Sequence, residues 1–371
     1  MPWSSAKTVV IFLATSSFVR FRLVWTIIFR FETVLFVVVI WGFLLYARWL
    51  TRHYRPLMLG EKLQMTIHKK SGENVKPTLI DIGFSKIPRR PGGTWRLKHQ
   101  IFSYYAATGY RPYMEDRMHY MNDPHHNISI FSIFDGHGGP FVSQYLEDNF
   151  STAIHQRLLR FHHHRGSLTA EMQHERATQA IVTEVLNIDD AICRLPSELT
   201  SFTGSTLISV ILERNRYLTV VNVGDSRAVA CDASGEAVAL SADHKPTDEK
   251  ERRRVERAGG FIQFNGVERV QGILSVTRAF GDTHLKRSCL ITAHPDIVRV
   301  DLSRITRNFI VVASDGFWDV LSNDEAIRLT NQYLKKCPRS QWHGVTEYLV
   351  KTALKLGTDD NLSVLVVRLD L

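Results

Sequence analysis

The stretch YLTVVNVGDSRAVAC, residues 217–231, joins two short apolar runs through a turn of glycine, aspartate and serine. Runs of this kind, rich in β-branched residues and bounded by turn-forming residues, are typical of strands. Because the two runs follow each other as a hairpin and do not alternate singly with helices, they indicate antiparallel pairing. The stretch therefore favours a fold with antiparallel sheets.

The rest of the chain adds both strands and helices to this hairpin. Further runs of strand type lie at residues 127–134, 206–212, 309–314 and 363–369. Apolar residues recur at helical spacing over 142–161 and 171–195, which predicts two long helices. Clustered strands with helices outside them predict an α+β fold.

Two shorter helices are marked by their end signals. Residues 247–258 begin with Thr247 as a predicted N-cap and stop before the pair Gly259–Gly260. The sequence SNDE, residues 322–325, has the pattern of a capping box that opens another helix.

The net charge of +9 belongs largely to the first hundred of the 371 residues. Basic residues around apolar segments more often mark a membrane boundary than a nucleic-acid site. The basic run ERRRVER, residues 251–257, lacks interleaved aromatic residues, so it predicts a charged helix face and no nucleic-acid partner. The four cysteines are scattered without metal-ligand spacing, which favours a reducing compartment.

Residues 33–47 carry no charged side chain, and this run predicts a membrane anchor over about 33–50. A buried core helix is the alternative, but the run has no polar face. A cleaved signal peptide would need small residues before the cut, which the run lacks. The expected organisation is a hydrophobic region at 1–50, a basic linker at 51–100 and a catalytic domain at 101–371.

Acidic residues fall at the ends of the predicted strands. Asp135 and Asp315 each follow an apolar run and precede a glycine, Asp360 precedes the last run, and Glu115 and Asp116 form a further pair. Each acid alone could simply cap a turn. Carboxylates gathered at strand ends, however, are the expected ligands of Mg²⁺ or Mn²⁺.

From about Tyr105 onward the chain resembles the metal-dependent (type 2C) serine/threonine protein phosphatases. The matching blocks include GYRPYMEDR (109–117), FDGHGG (134–139), VNVGDSRAV (221–229), DHKP (243–246), RVQGILSVTRAFGD (269–282), ASDGFWDVLSNDEA (313–326) and DDNLSV (359–364). The resemblance implies a β-sandwich of two antiparallel sheets flanked by helices on both faces, with a two-metal centre at one end.

The same resemblance assigns roles to individual residues. Asp135 would bridge two Mg²⁺ or Mn²⁺ ions, and the Gly136 carbonyl would bind one of them. The remaining metal ligands it implies are Asp315, Asp360, Glu115 and Asp116, with Asp243, Asp315 and Asp319 at a weaker third site.

The implied reaction is direct attack on phosphorus by a hydroxide that the two metal ions hold between them. Arg111 would grip the phosphate, and His137 would protonate the departing serine or threonine oxygen. A catalytically silent scaffold that binds phosphoproteins and a metal-dependent phosphodiesterase are the competing functions.

The expected location is the endoplasmic reticulum membrane, with the catalytic domain in the cytosol, as in the anchored "protein phosphatase 1-like" branch that the chain resembles. A glycan on Asn361, which begins an N-x-S sequon, would block the neighbouring predicted ligand. The expected partners are phosphorylated proteins, among them components of stress-activated kinase cascades, for which the enzyme would be a negative regulator.

Overall fold

Buried side chains alternate along the central strands, so that each of these strands contributes to two apolar layers. In β5 (Ile128–Phe134), Ile130 and Phe134 contact one core cluster, whereas Phe131 and Ile133 contact another. Successive side chains of a strand point to opposite faces, so both faces of this sheet are covered.

The computed structural model describes residues 39–42, 44–45, 78–163, 170–302 and 307–369, and the chain divides into the units Met1–Lys76 and Pro77–Leu371. The strands of the second unit are β1 (Ile80–Gly83), β2 (Thr94–Lys98), β3 (Phe102–Ala107), β4 (Arg117–Asp123), β5, β6 (Gly136–His137), β7 (Gly204–Ser205), β8 (Leu207–Glu213), β9 (Tyr217–Val223), β10 (Arg227–Asp232), β11 (Ala237–Ala239), β12 (Ile262–Asn265), β13 (Val267–Val270), β14 (Phe280–Gly281), β15 (Asp296–Asp301), β16 (Arg307–Ala313) and β17 (Leu362–Arg368). Its α-helices are α1 (Phe141–His163), α2 (Ala170–Cys193), α3 (Ser197–Thr200), α4 (Glu249–Arg257), α5 (Thr283–Lys286), α6 (Asp315–Trp318), α7 (Asn323–Lys336) and α8 (Val345–Lys355).

Two six-stranded antiparallel sheets form the centre of the second unit. Sheet A has the order β1-β4-β5-β8-β9-β15, and sheet B has the order β11-β10-β16-β17-β3-β2. One core cluster joins the facing sides of both sheets, with Tyr104 and Phe131 fully buried in it. Helices α1 and α2 cover the outer face of sheet A, and α6, α7 and α8 cover that of sheet B. The predicted α+β fold with helices on both faces is confirmed.

A small third sheet, in the order β14-β7-β6, lies between longer elements and carries functional residues. His137 of β6 is paired with Gly204 of β7, and Gly204 is paired with Gly281 of β14. Residues from three distant parts of the sequence are therefore held side by side.

The helix predictions agree with the structure to within a few residues. The predicted box at Ser322 is present: its hydroxyl accepts the Glu325 backbone N–H at 3.3 Å, and the Glu325 carboxylate accepts the Ser322 N–H at 3.0 Å. The predicted N-cap Thr247 was wrong by one residue. Asp248 caps α4 instead, because its carboxylate accepts the backbone N–H groups of Lys250 and Glu251.

The boundaries of the predicted linker differ from the structure. Residues 51–100 were expected to form a linker, but β1 and β2 lie within this range and form edge strands of sheets A and B. Edge strands need to bury only part of their side chains, so their composition resembles that of a linker.

The predicted anchor at about 33–50 lies mostly outside the described residues. Within it, residues 39–42 and 44–45 are helical, with Val39, Trp41 and Leu44 among the exposed apolar side chains. Among the described helices, none combines the length and the apolar character that crossing a membrane requires.

Candidate metal centre

An open cavity of about 350 Å³ lies where strand ends of both sheets meet. Asp135 follows β5, and Asp225 follows β9 of the same sheet, whereas Asp315 follows β16 of sheet B. The apolar residues of these strands are buried in the core clusters, so each acid lies where a strand leaves the core. Carboxylate oxygens of the three aspartates lie within 4.8 Å of one another.

This group of carboxylates is electrostatically strained without a cation. Burial, and then the charge of neighbouring carboxylates, raises the pKa of both Asp135 and Asp315 well above the ordinary aspartate value. A dication bound among the oxygens would neutralise this repulsion. Because the donors are all oxygens, the set fits hard ions such as Mg²⁺ and Mn²⁺.

Asp116 is buried next to Asp135 and has one oxygen in need of a partner. Its Oδ2 accepts a hydrogen bond from Ser314 Oγ at 2.9 Å, whereas its buried Oδ1 has no hydrogen-bond partner among the described residues. Burial raises the pKa of Asp116 to about 7. An orphaned acidic oxygen beside a carboxylate cluster is a second observation that fits a bound cation.

Glu115 is held at the cavity rim by its backbone and its side chain. Its N–H donates to Asn361 Oδ1 at 2.8 Å, and its carboxylate accepts the Gly139 N–H at 2.5 Å. The Asn361 amide also donates to the carbonyls of Thr108 and Tyr113, at 2.9 and 3.1 Å. Asn361 thus fastens the loop before β4 to the beginning of β17.

Gly136 occupies a position with no room for a side chain. A Cβ there would approach Ser143 Oγ to 2.6 Å and the Glu115 carbonyl oxygen to 2.7 Å. Ser143 Oγ donates to that same carbonyl at 2.6 Å. The glycine lets the backbone after Asp135 pass close to the Glu115 loop, so the two parts of the site remain adjacent.

His137 also lines the cavity, and its ring is bonded to a second carboxylate. Its Nε2 lies 2.6 Å from Oδ2 of Asp282, which is the residue that follows β14. A Cβ on Gly204, which lies between them in β7, would clash with both groups. Burial opposes the charged imidazole, but the Asp282 carboxylate and its hydrogen bond outweigh burial and raise the pKa of His137.

Arg111 lies at the mouth of the same cavity. Its Nη2 donates to Asp360 Oδ2 at 2.7 Å, and its Nε donates to the Asp359 carbonyl at 3.3 Å. Its side chain is 48% exposed, so part of the guanidinium remains accessible from solvent. A planar, permanently charged group at this place suits recognition of a phosphate.

Two of the three residues predicted for a third metal site, Asp243 and Asp319, are paired with basic side chains. Asp243 receives a bidentate pair from Arg227, at 2.9 and 2.7 Å. Lys245 Nζ lies 3.1 Å from Asp319 Oδ1 and 3.4 Å from Asp225 Oδ2. Burial disfavours the charged ammonium, but the three nearest carboxylates outweigh burial and raise the pKa of Lys245. The basic side chains of Arg227 and Lys245 therefore offset part of the negative charge of Asp243 and Asp319.

Three residues with roles in this geometry were given no part in the predicted site, although Asn361 was noted as the start of a sequon. Asp225 belongs to the cluster of carboxylates, Asp282 holds His137, and Asn361 fastens the rim. Asp225 follows Gly224 just after β9, and Asp282 follows Gly281 at the end of β14, so a glycine before each aspartate is the available sequence signal.

Comparisons with known proteins agree with this geometry. The family model described as "Protein phosphatase 2C" matches residues 102–362. The chain is 37% identical over 277 residues to "Protein phosphatase 1L" of Bos taurus, covering 74% of each sequence. It is 35% identical to "Probable protein phosphatase 2C 45" of Oryza sativa subsp. japonica, covering 76% of this chain and 92% of the relative.

A solved structure with the same fold is titled "Crystal structure of serine-threonine phosphatase 2C from Toxoplasma gondii". It superposes with a TM-score of 0.63 at 22% identity, covering 79% of this chain and 99% of the other.

Proposed function

Because the chain belongs to the protein phosphatase 2C family of Mg²⁺- or Mn²⁺-dependent serine/threonine phosphatases, we propose that its carboxylate cavity hydrolyses phosphoserine and phosphothreonine in proteins. The observation that carries the proposal is the convergence of buried carboxylates, Arg111 and His137 on one cavity. Phosphoester hydrolysis requires a positively charged group that binds the phosphate and a proton donor for the leaving oxygen. Both groups lie here beside carboxylates that can hold metal ions.

In this proposal carboxylates bind the metal ions. The direct ligands are Asp135, Asp225, Asp315 and Asp360, and the carboxylates of Asp116 and Glu115 lie beside them and assist in binding. When bound, Mg²⁺ or Mn²⁺ supplies charge neutralisation and a water activated at neutral pH. Arg111 binds the substrate phosphate with its accessible N–H groups while Asp360 keeps the guanidinium at the cavity mouth.

His137 acts as the general acid in this proposal. Its ring lines the cavity, and Asp282 stabilises the protonated imidazolium. The protonated ring donates its proton to the serine or threonine oxygen as the ester bond breaks, so that the protein leaves as a neutral alcohol.

The test uses the purified full chain and three substrates: a phosphothreonine peptide, p-nitrophenyl phosphate and bis(p-nitrophenyl) phosphate. We expect peptide turnover with Mn²⁺, none in EDTA, and little hydrolysis of the diester. Asp135→Asn should lower kcat by several orders of magnitude. Full activity in EDTA would overturn the metal-dependent mechanism, and preferred hydrolysis of the diester would favour a phosphodiesterase.

We also propose that the chain is anchored in the endoplasmic reticulum membrane with its catalytic unit in the cytosol. The uncharged run 33–47 and the exposed apolar side chains of its described helical residues support an anchor. The test is carbonate extraction and protease protection of microsomes. Extraction by carbonate would contradict the anchor, and protection of residues 101–371 without detergent would contradict the cytosolic orientation.

A cytosolic enzyme of this class would act as a negative regulator of kinase signalling, with phosphorylated components of stress-activated kinase cascades as substrates. A phosphoproteome recorded soon after inactivation of the enzyme should show increased phosphoserine and phosphothreonine on such proteins. Unchanged phosphorylation of these cascades would exclude them as substrates.

A further inference from the structure

A second group of metal-ligating side chains lies at the turn between β4 and β5. Asp123 ends β4, His126 lies in the turn, and His155 projects from α1. Ligand atoms of the three side chains lie within 4.8 Å of one another. We propose that these residues bind a transition-metal dication of the Zn²⁺ class at a site separate from the carboxylate cavity.

The two sites lie at opposite ends of one strand pair. Asp123 is paired with Ile128 at one end of the β4–β5 ladder, whereas Arg117 is paired with Phe134, next to Asp135, at the other. Six residue steps of about 3.3 Å place the ends roughly 20 Å apart. A ligand at the turn therefore does not contact the catalytic residues.

The Asp123 carboxylate is oriented by the turn that follows it. Its Oδ1 accepts the backbone N–H groups of His125 and His126, at 2.9 and 3.3 Å. Its Oδ2 faces both rings, with His126 Nδ1 at 2.6 Å and His155 Nε2 at 2.8 Å. Two ring nitrogens from separate elements thus converge on one carboxylate oxygen.

The arrangement leaves one side of the site open. The side chains of Asp123 and His155 are 8% and 13% exposed, whereas that of His126 is 48% exposed. Three protein ligands with water in the fourth position form a common open Zn²⁺ site. Tetrahedral ligands at 2.0–2.2 Å lie about 3.3 Å from one another, so the rings must retreat from Asp123 by less than about 1 Å.

The donor chemistry distinguishes this site from the catalytic centre. Two imidazole nitrogens and one oxygen suit Zn²⁺ and its neighbours in the transition series, whereas Mg²⁺ prefers oxygen ligands alone. An ion at this point would join the β4–β5 turn to α1, because its ligands come from both elements. Occupancy should therefore stabilise the folded protein.

The experiment titrates Zn²⁺ into the full chain in detergent with saturating Mg²⁺, using equilibrium dialysis and thermal unfolding. The variants are His126→Asn and His155→Gln, whose amide nitrogens replace Nδ1 and Nε2 as donors to Asp123 but are poor metal ligands. We expect each variant to lose a single Zn²⁺ relative to the wild type and to lose the Zn²⁺-induced rise in Tm. The affinity should fall by at least the roughly 10–100-fold that results from changing a residue beside a metal ligand.

The matched control is His125→Ala, which keeps the backbone N–H that donates to Asp123 and should leave Zn²⁺ binding unchanged. Both ligand variants should retain the wild-type Tm without Zn²⁺ and the Mg²⁺-dependent phosphatase activity. The proposal fails if the ligand variants bind Zn²⁺ as the wild type does or if the wild type shows no Zn²⁺ binding. The sequence also contains three consecutive histidines at 162–164, and loss of the bound Zn²⁺ only when these are replaced would equally overturn the proposal.

Discussion

His137 owes its orientation to a contact that crosses three short strands. The ring lies on β6, its partner Asp282 lies just after β14, and Gly204 of β7 leaves the space between them open. Asp282 itself has a positive φ of 48°, a backbone conformation that is uncommon for a residue with a side chain. The pair is therefore maintained by its surroundings, which is typical of groups with a mechanistic role.

We predict that Asp282→Asn slows a phosphopeptide far more than p-nitrophenyl phosphate. Serine and threonine oxygens need a proton on departure, and a general acid contributes about 10²–10⁴-fold, whereas nitrophenolate leaves readily without one. The measurement is kcat for both substrates at saturating Mn²⁺. His137→Gln should likewise lower kcat more for the phosphopeptide than for p-nitrophenyl phosphate, because the two side chains act as one unit.

Gly204→Ala serves as a steric test of the same pair, since its Cβ would push the ring and the carboxylate apart. It should also penalise the phosphopeptide more. Equal losses on both substrates in all three variants would mean that the pair supports structure and does not deliver a proton.

At this scale the sequence predicted the acids that follow recognisable strand runs, such as Asp135 and Asp315. The structure brings both to the cavity. The glycine before Asp225 and before Asp282 is a weak signal by itself, because each aspartate resembles an ordinary turn residue until the neighbouring strand ends are known. Their proximity to Asp135 and His137 depends on the order of strands across the sheets, which local sequence does not encode.

Among the helices, α7 shows how the residues at one helix terminus contribute to the stability of the protein. Ser322 and Glu325 satisfy each other's backbone N–H groups at its first turn. We predict that Ser322→Ala lowers the free energy of unfolding by about 1 kcal/mol, measured by urea denaturation. Ser322→Thr should retain most of the stability, because threonine can accept the same hydrogen bond. A loss below experimental error for Ser322→Ala would show that solvent replaces the cap.

Helix α4 is tied to the segment before β14 by one buried acid. Glu251 accepts hydrogen bonds from Thr277 Oγ1 at 2.8 Å and from Arg278 Nη2 at 2.7 Å, with Arg254 at 3.1 Å. Burial alone would favour the neutral acid, but Arg278 and the other donors outweigh burial and lower the pKa of Glu251 to about 2. The folded protein is therefore stabilised when the Glu251 carboxylate is charged.

We predict that this network is lost under acidic conditions. Because the folded pKa lies below the unfolded value of about 4.3, the contribution is fully present above that value and disappears as the pH falls toward 2. With allowance for solvent screening it should amount to about 2 kcal/mol. Glu251→Gln should lower stability at pH 7 and flatten its dependence on pH between about 5 and 2, as measured by denaturation.

The control for this prediction is Glu249→Gln on the same helix. Glu249 pairs with Arg253 at the surface, where the two side chains are 62% and 67% exposed, so its removal should change stability little. Equal effects of the two substitutions at every pH would contradict a special role for Glu251.

The periodic elements could be predicted from the sequence because their burial is local and regular. The run 142–161 agrees with α1, whose residues Leu146, Phe150 and Ile154 are fully buried against sheet A. Strands β1 and β2 could not be predicted, since they are short, half-exposed and stabilised by their partners β4 and β3. Their formation depends on tertiary pairing and not on their own composition.

At the scale of the whole unit, the site concentrates negative charge in a chain of positive net charge. Without a cation, burying Asp135 among like charges opposes folding, as the raised pKa indicates. We predict that Asp135→Asn raises the Tm of the EDTA-treated protein while abolishing turnover. The gain follows because the neutral amide removes the repulsion between the buried Asp135 carboxylate and its charged neighbours.

Mn²⁺ should raise the Tm of the wild type substantially and that of Asp135→Asn much less, since bound ligand stabilises only the folded state. The control is Asp243→Asn, which weakens an ion pair with Arg227 and should lower stability in EDTA. If Asp135→Asn were less stable than the wild type in EDTA, the carboxylates would not be under electrostatic strain.

Strand β17 lies between β16 and β3 in the middle of sheet B, although it follows every other described strand in the sequence. During synthesis, β3 must therefore wait for a partner that leaves the ribosome about 260 residues later, as the register from Tyr105 to Val364 shows. Asp360 and Asn361, which complete the cavity and its rim, emerge with that strand. A nascent chain halted before residue 360 would expose an unpaired strand edge and carry no complete active site, so the phosphatase becomes active only after its fold has closed.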